Sequence, residues 1–260
     1  MKTVAIMNYK GGGGKSITAI NLAAELAGRE KRVVLIDADG QRNTSKFFRA
    51  DTEMRDTLYE LLTGRTGQGY MTLLQQTEVP FLSVLPASME LMKADISAIQ
   101  AQAVNLLAIA QLRDQIAEDD AADYLIIDCP PSFSASTLAA LAAADEVIIP
   151  TKLDAWSADG MTELLMQVDS MRRVNPRLRV AGILITMWTR SIVVRNAEDA
   201  LRHSALPVFR QTIRRAAVVD ESTYARKPLR LYRPVHGVTS DYAQFVREYV
   251  QNGGAYRGQE

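Results

Sequence analysis

Residues 3–16 read TVAIMNYKGGGGKS, a short apolar run that leads into four glycines and a Lys-Ser pair. The pattern predicts a buried strand, a glycine loop and a helix that begins near Lys15. Glycines let a backbone wrap around an anion, because they lack a Cβ and tolerate positive φ angles. The loop N–H groups and the positive end of the helix then bind phosphates. In such a loop Lys15 reaches the β- and γ-phosphates of a nucleotide, and the Ser16 hydroxyl binds Mg²⁺.

Two further apolar runs end in carboxylates. Residues 33–41 read VVLIDADGQ, and residues 124–131 read YLIIDCPP. We expect Asp37, Asp39 and Asp128 at the carboxyl edge of a sheet, which is where open α/β folds bind ligands. Asp37 and Asp39 share one side of an extended segment, since side chains alternate along a strand. Asp128 ends a strand of the kind whose aspartate holds Mg²⁺ in nucleotide hydrolases.

Strands and helices alternate along the chain. Their order predicts an α/β fold with a doubly wound, mostly parallel sheet and helices on both faces. Residues 1–250 are expected to form one domain, and residues 251–260 a loose polar tail. The predicted strands are rich in Val, Ile and Leu, and they span residues 3–7, 32–36, 81–85, 124–127, 146–149 and 180–186. The predicted helices span residues 16–27, 52–62, 88–117, 134–143, 157–174, 191–204 and 240–250.

Composition limits the classes of function. The chain has 260 residues, of which 47% are hydrophobic, so a large core is expected. The sequence contains no stretch of about 18 apolar residues, which a membrane-spanning helix would need. The single cysteine, Cys129, excludes a disulfide framework or a cysteine-held cluster within one chain. The N-terminus enters a strand without a signal-peptide pattern, so we expect a cytoplasmic protein.

Charge is distributed unevenly, although the formal net charge is zero. Residues 171–233 hold 14 Lys and Arg against 4 Asp and Glu, a local excess of ten positive charges. This excess predicts a surface for a polyanion such as DNA, because Lys and Arg contacts to phosphates carry non-specific affinity. The alternative is a set of solvated arginines, some of them paired with carboxylates elsewhere. The first DNA-binding candidates are Arg195, Arg202, Arg214 and Arg215.

The three motifs together resemble the deviant Walker A ATPases of the ParA/MinD family, which are P-loop NTPases. The family loop reads Lys-Gly-Gly-x-Gly-Lys-Ser/Thr, and Lys10 stands here in the place of its first lysine. Residues 37–41 resemble the family's Asp-x-Asp-Pro-Gln motif, with Gly40 instead of proline, and residues 126–131 match its Ile-Ile-Asp-Cys-Pro-Pro run. The similarity covers roughly residues 2–250 and is closest to the ParA-type partition proteins.

The resemblance implies an ATPase with ATP and Mg²⁺ as cofactors and weak intrinsic turnover. Lys10 would cross a dimer interface to the partner's nucleotide, and Asp39 would orient the attacking water. The implied catalytic residues are Lys10, Lys15 and Asp39, and the implied metal-site residues are Ser16, Asp37 and Asp128. The implied nucleotide-binding residues are Gly11, Gly12, Gly13, Gly14, Lys15, Ser16 and Ile17 on the loop, with Thr186, Met187, Ile213 and Arg214 beside the adenine.

In ParA systems an ATP-bound homodimer coats DNA non-specifically, and a partner protein of the ParB type stimulates hydrolysis and releases it. The resemblance therefore implies a nucleoid-associated protein that positions a plasmid or chromosome. The alternatives are a relative that positions a protein assembly, a MinD-like membrane-cycling ATPase and a nucleotide-gated binding module. No membrane partner is expected, because residues 242–260 run into a polar, glycine-containing stretch and carry Glu248 and Glu260, unlike a basic amphipathic helix. A nitrogenase-reductase-like carrier would need two cluster cysteines in each subunit.

Overall fold

A seven-stranded sheet forms the centre of the protein, with strand order β3-β4-β2-β5-β1-β6-β7. The structure is a computed structural model that describes residues 1–53, 55–67, 69–94, 104–154 and 157–251. Of the seven strands in these described ranges, β3 alone is antiparallel to its neighbour, so the predicted doubly wound, mostly parallel sheet is confirmed. The strands are β1 (Lys2–Ile6), β2 (Val33–Asp37), β3 (Gln75–Gln76), β4 (Leu82–Leu85), β5 (Tyr124–Asp128), β6 (Glu146–Lys152) and β7 (Arg179–Thr186).

Helices connect the strands and cover the sheet. In the described ranges they are α1 (Lys15–Ala27), α2 (Asn43–Phe47), α3 (Leu58–Thr63), α4 (Ala108–Glu118), α5 (Ala135–Ala143), α6 (Ser157–Met171), α7 (Ile192–Arg202), α8 (Ala217–Ala225), α9 (Leu229–Tyr232) and α10 (Gly237–Gln251). No helix in the described ranges has the length and apolar character that crossing a membrane demands.

Alternate residues of the central strands pack into two separate cores, one on each face of the sheet. Val4 and Ile6 of β1 pack in a core with Leu22 of α1 and Phe245 of α10. Ala5, between them, belongs to a core that includes side chains of α3, α4, α5 and α6. The two-residue period of a strand produces this division. Burial on both faces explains why these strands read as unbroken apolar runs.

Several predicted helices differ in extent from those in the structure. The helix predicted over residues 52–62 begins at Leu58, because Thr57 and Glu60 form a capping box there. Of the helix predicted over residues 88–117, residues 95–103 lie outside the described part, and α4 begins only at Ala108. The predicted tail lies outside it too, except for Gln251, which ends α10. Strand β3 and helices α2, α8 and α9 were not predicted, since short elements show too few repeats of their period.

One buried carboxylate joins three elements at the end of the sheet opposite the glycine loop. Glu146, at the start of β6, is fully buried and accepts a hydrogen bond from the Tyr249 hydroxyl of α10 at 2.6 Å. It also pairs with Lys2 of β1 at 2.9 Å and with Arg179 of β7. A carboxylate is stable inside a protein only when such partners neutralise it.

We expect Glu146→Ala to lower the free energy of unfolding by about 2–3 kcal/mol, because the buried Tyr249 hydroxyl loses its acceptor and Lys2 and Arg179 each lose one ion pair. Urea unfolding measures the change. The matched control is Glu118→Ala, which removes an exposed acid at the end of α4 and is expected to leave the midpoint unchanged. Equal midpoints for both variants would contradict the structural role of Glu146.

Candidate nucleotide site

The glycine loop connects β1 to α1 at the carboxyl edge of the sheet. Gly14 lies immediately before α1 in the left-handed region, with a φ of +85°, a conformation that favours glycine. No side chain of the described residues caps this end of the helix. The first N–H groups of α1 therefore remain available to an anion, as a phosphate-binding helix start requires.

Two side chains hold the loop against β6 and β7. Asn8 Nδ2 donates to Pro150 O at 2.8 Å, and Asn8 Oδ1 accepts from Lys10 N at 3.0 Å. Thr186 Oγ1 donates to Gly13 O at 2.9 Å. A Cβ on Gly13 would lie only 3.1 Å from Pro150 O, so glycine permits this close approach. The protein itself therefore fixes the conformation of the loop.

Lys15 brings a positive charge into this pocket. The residue is 8% exposed, and its Nζ donates to Lys10 O at 3.4 Å. Burial lowers the pKa of Lys15, and the nearby carboxylates of Asp128 and Asp39 act in the opposite direction. Among the described residues this long hydrogen bond is the only one recorded for the ammonium group, so two of its three donors remain for a phosphate.

Asp37 and Asp128 end the adjacent strands β2 and β5 and lie opposite each other in the sheet register. Both are fully buried. Burial raises the pKa of Asp37 to about 6. Burial and the charge of Asp37 raise the pKa of Asp128 to about 7. Asp128 Oδ1 is buried and has no hydrogen-bond partner among the described residues. This pair of carboxylates with an unpaired oxygen fits a divalent cation, which would neutralise both charges.

Magnesium suits this donor set. Ser16 lies near enough to Asp128 to lower its pKa, against the effect of burial, so the three predicted metal-site residues lie together. The described residues contain no group of three or more His, Cys, Asp or Glu side chains able to hold a metal. Mg²⁺ usually binds one or two carboxylates and completes its coordination with water and substrate phosphates. Ser16, Asp37 and Asp128 would hold the ion, which supplies charge neutralisation for phosphates.

Asp39 lies in the turn that follows β2 and is 9% exposed. Its Oδ1 accepts from Gln41 N at 2.9 Å, and its N–H donates to Asp37 Oδ1 at 3.2 Å. From the other side, Ser136 Oγ of α5 donates to Ala38 O at 2.8 Å. These bonds hold the turn on both sides even though it carries Gly40 rather than proline.

A cleft beside the glycine loop brings distant parts of the chain together. The segment after residue 212 runs along the end of β7, where Ile213 N donates to Ile185 O at 2.8 Å and Trp188 N donates to Ile213 O at 2.9 Å. Lys152 and Asp220 also border the cleft. The predicted nucleotide-binding residues that line it are Gly14, Ile17, Thr186, Met187, Ile213 and Arg214.

Lys10, the extra lysine of the loop, pairs with a carboxylate of its own chain. Its ammonium forms an ion pair with Asp154, which follows β6 in the same chain, and the Lys10 side chain is 38% exposed. A role for Lys10 at the nucleotide of a second subunit therefore requires that this ion pair open. The spacing of the motif predicted the position of Lys10 but not this partner.

The four arginines predicted to bind DNA differ in their contacts. Arg214 is held by both oxygens of the buried Asp241, with Nε–Oδ2 and Nη2–Oδ1 distances of 2.7 Å each. Arg202 pairs with Glu198 at 2.8 Å. Arg195 and Arg215 have no recorded ion pair within the described part of the chain. Of the four predicted arginines, Arg195 and Arg215 are therefore the two whose charge is not neutralised by an ion pair within the described residues.

Hydroxyl groups near the carboxylates were missed by the sequence analysis. Thr44 Oγ1 donates to Asp128 Oδ2 at 2.7 Å. Ser45 donates twice to Asp37 Oδ2, from N at 2.7 Å and from Oγ at 2.6 Å. The available signal was the polar run of residues 43–45 soon after Asp39, which is typical of a helix start.

Comparisons with known proteins identify the family of the chain. The sequence profile of a family described as an AAA domain matches residues 1–180. The chain is 34% identical to chromosome partitioning protein ParA of Caulobacter vibrioides, over 96% of this chain and 94% of that protein. It is 33% identical to the chromosome-partitioning ATPase Soj of Thermus thermophilus, over 96% of each.

A solved structure similar to this fold contains the expected cofactors. It is cobyrinic acid a,c-diamide synthase of Mycobacterium smegmatis with bound ADP and magnesium, with a TM-score of 0.81 and 25% identity. The match covers 99% of this chain and 97% of that one. The same protein is also known with an ATP analogue and magnesium. The resemblance inferred from the three motifs is confirmed: the chain belongs to the ParA/MinD family of ATPases.

Proposed function

We propose that this protein is an ATP-dependent partition ATPase that dimerises on ATP, binds DNA non-specifically and is released when a partner protein stimulates hydrolysis. Its family makes it an ATPase, and ATP and Mg²⁺ are its cofactors. Phosphoryl transfer requires positioning and charge neutralisation more than covalent chemistry. The buried Lys15, the loop N–H groups and the carboxyl pair of Asp37 and Asp128 supply these at one edge of the sheet.

The observation that carries the DNA part of the proposal is the unpaired positive charge of residues 171–233. Five of its 14 basic side chains form ion pairs with carboxylates in the chain, and the other nine have no recorded ion pair with a described residue. Arg190 and Arg195 lie at the start of α7, and Arg215 and Arg226 flank α8. Side chains without internal partners keep their charge available for phosphates.

The dimer is proposed because the Lys10 ammonium pairs with Asp154 and is not needed to bind the phosphates of a nucleotide in its own subunit. We assign the phosphates to Lys15, whose ammonium lies within the glycine loop, whereas the Lys10 ammonium forms an ion pair with Asp154. DNA binding should then depend on ATP, because two subunits double the number of phosphate contacts. A nucleoid location in the cell and a ParB-like partner follow from the same proposal.

We expect Arg195→Ala combined with Arg215→Ala to weaken DNA binding in ATP and to flatten its salt dependence. Each lost phosphate contact should reduce the log–log slope of affinity against salt by about 0.9. The measurement is a salt titration with two unrelated duplexes, in ATP and in ADP. Wild-type affinity should be similar for both duplexes, since the proposal includes no reading of bases.

The matched control is Arg202→Ala, which removes an arginine already paired with Glu198. It should leave the salt slope unchanged. Equal binding in ATP and ADP, salt-insensitive binding, or no binding at all would overturn the DNA proposal. The last result would favour a relative that acts on a protein surface.

The packing of helix α10 argues against the alternative of a membrane-cycling ATPase. Its apolar residues Val238, Tyr242, Phe245 and Tyr249 are buried in the core with α1 and the sheet. They are therefore not available to lie on a lipid surface.

A further inference from the structure

The two buried carboxylates of the magnesium site are each held by one hydroxyl of helix α2. Thr44 Oγ1 donates to Asp128 Oδ2 at 2.7 Å, and Ser45 Oγ donates to Asp37 Oδ2 at 2.6 Å. Thr44 is fully buried and Ser45 is 1% exposed, so water does not compete for these bonds. Hydrogen bonds to charged groups are about twice as strong as those between neutral groups.

The local geometry explains how neighbouring residues reach different strands. Arg42, just before α2, has a φ of +60°, and this left-handed turn directs the short helix across the carboxyl ends of β2 and β5. Consecutive helical side chains point about 100° apart. Adjacent strands lie about 4.8 Å apart. Two successive hydroxyls on one helix can therefore each meet a carboxylate on neighbouring strands.

The direction of the Ser45 hydrogen bond is fixed by its surroundings. Ala87 N, which can only donate, lies 2.9 Å from Ser45 Oγ. The hydroxyl has a single proton. Ser45 therefore accepts from Ala87 and gives its proton to Asp37. This arrangement also connects the carboxylate to the segment that follows β4.

The hydroxyls occupy one oxygen of each carboxylate. Asp128 Oδ2 accepts the hydrogen bond from Thr44, and Asp37 Oδ2 accepts the one from Ser45. Asp37 Oδ1 accepts a longer bond from Asp39 N at 3.2 Å. Asp128 Oδ1 is left without a partner among the described residues. The hydroxyls of α2 thus determine which carboxylate oxygens remain available to bind a cation.

We propose that Thr44 and Ser45 are positioning residues for Mg²⁺, which orient Asp128 and Asp37 so that nucleotide binding becomes dependent on the ion. The inference rests on the proposed use of Ser16, Asp37 and Asp128 as the magnesium site. Outer partners of metal-binding side chains typically change metal affinity by about 10–100-fold when they are removed.

The test is the Mg²⁺ dependence of ADP affinity, measured by titration calorimetry over a range of Mg²⁺ concentrations and in EDTA. We expect Thr44→Val and Ser45→Ala each to raise the Mg²⁺ midpoint by about tenfold and to leave ADP affinity in EDTA unchanged. Thr44→Ser, which keeps the hydroxyl, should restore the wild-type midpoint. The readout is binding, so it does not depend on catalytic turnover.

The matched control is Thr239→Val on α10. Thr239 is 4% exposed, and its Oγ1 donates to Arg233 O at 2.7 Å, the same length as the Thr44 bond. This variant loses a hydroxyl hydrogen bond of equal length away from the carboxylates and should keep the wild-type Mg²⁺ midpoint. It separates loss of stability from loss of positioning.

A double-mutant cycle distinguishes an effect that acts through Asp128 from a general effect on the protein. In an Asp128→Asn background, Thr44→Val should produce no additional change in the midpoint, because Thr44 acts through that carboxylate. Wild-type midpoints in Thr44→Val and Ser45→Ala, or full additivity in the cycle, would overturn the positioning role. If the ADP affinity of the wild-type protein does not change with Mg²⁺ concentration, the magnesium site itself is refuted.

Discussion

Lys15→Ala is expected to abolish binding of ATP·Mg²⁺. The ammonium is the positive group that lies near Asp39 and Asp128, and its loss leaves a pocket in which carboxylates face the phosphates. A hydrogen bond to a charged group contributes about 1.5–3 kcal/mol. Added charge repulsion should bring the loss of affinity to about 100-fold or more, as titration calorimetry would measure.

Alanine variants of two other lysines, Lys46 and Lys10, serve as comparisons for Lys15→Ala. Lys46→Ala removes an exposed lysine of α2 and should not change the affinity. Lys10→Ala removes the second lysine of the loop and should retain ATP binding while losing ATP-dependent dimerisation. Unchanged affinity in Lys15→Ala would refute the nucleotide loop, and lost affinity in Lys10→Ala would assign Lys10 to the nucleotide of its own chain.

Asp39→Ala is expected to keep ATP affinity and lose hydrolysis. Asp39 lies at the edge of the site, in a turn held by Gln41 N and by Ser136, and it can accept a proton or hydrogen bond from water. Loss of a positioned acid–base group typically reduces turnover by about 10²–10⁴-fold. The ATP-bound dimer should then accumulate, which static light scattering detects alongside a phosphate-release assay.

Asp114→Ala is the control for this variant, since Asp114 is an exposed acid on α4 that pairs only locally with Arg113. It should match the wild type in turnover and in assembly. Normal turnover in Asp39→Ala would show that another group orients the water. A large loss of ATP affinity would show that Asp39 acts in binding rather than in hydrolysis.

The sheet was predictable because its strands are buried on both faces. Residues 33–37 and 124–128 are continuous apolar runs ending in aspartate, and both became adjacent parallel strands. Strand β3 has two polar residues, Gln75 and Gln76, at the edge of the sheet, and it carries no such pattern. Its pairing with β4 depends on tertiary contacts that a local pattern does not encode.

The sequence motifs of the site were predictable, but the ion-pair partners of its side chains were not. The glycine loop and the aspartates that end β2 and β5 follow from spacing along the chain. The partners of Lys10 and Arg214, which are Asp154 and Asp241, lie 144 and 27 residues away. Those pairs depend on how the elements pack, so one sequence without structural information could not connect them.

The position of β1 in the sheet has a consequence for the order of folding. Strand β1 pairs with β5 on one side and β6 on the other, and its loop is anchored by Pro150 and Thr186. Strand β1 is synthesised before the other six strands of the sheet, yet it has no sheet partner until residue 124 has been added. At 5–20 residues per second, synthesis through Thr186 takes on the order of 10–40 s. The nascent chain therefore acquires its nucleotide loop late, and such distant pairings also make folding slower than it is in proteins with local contacts.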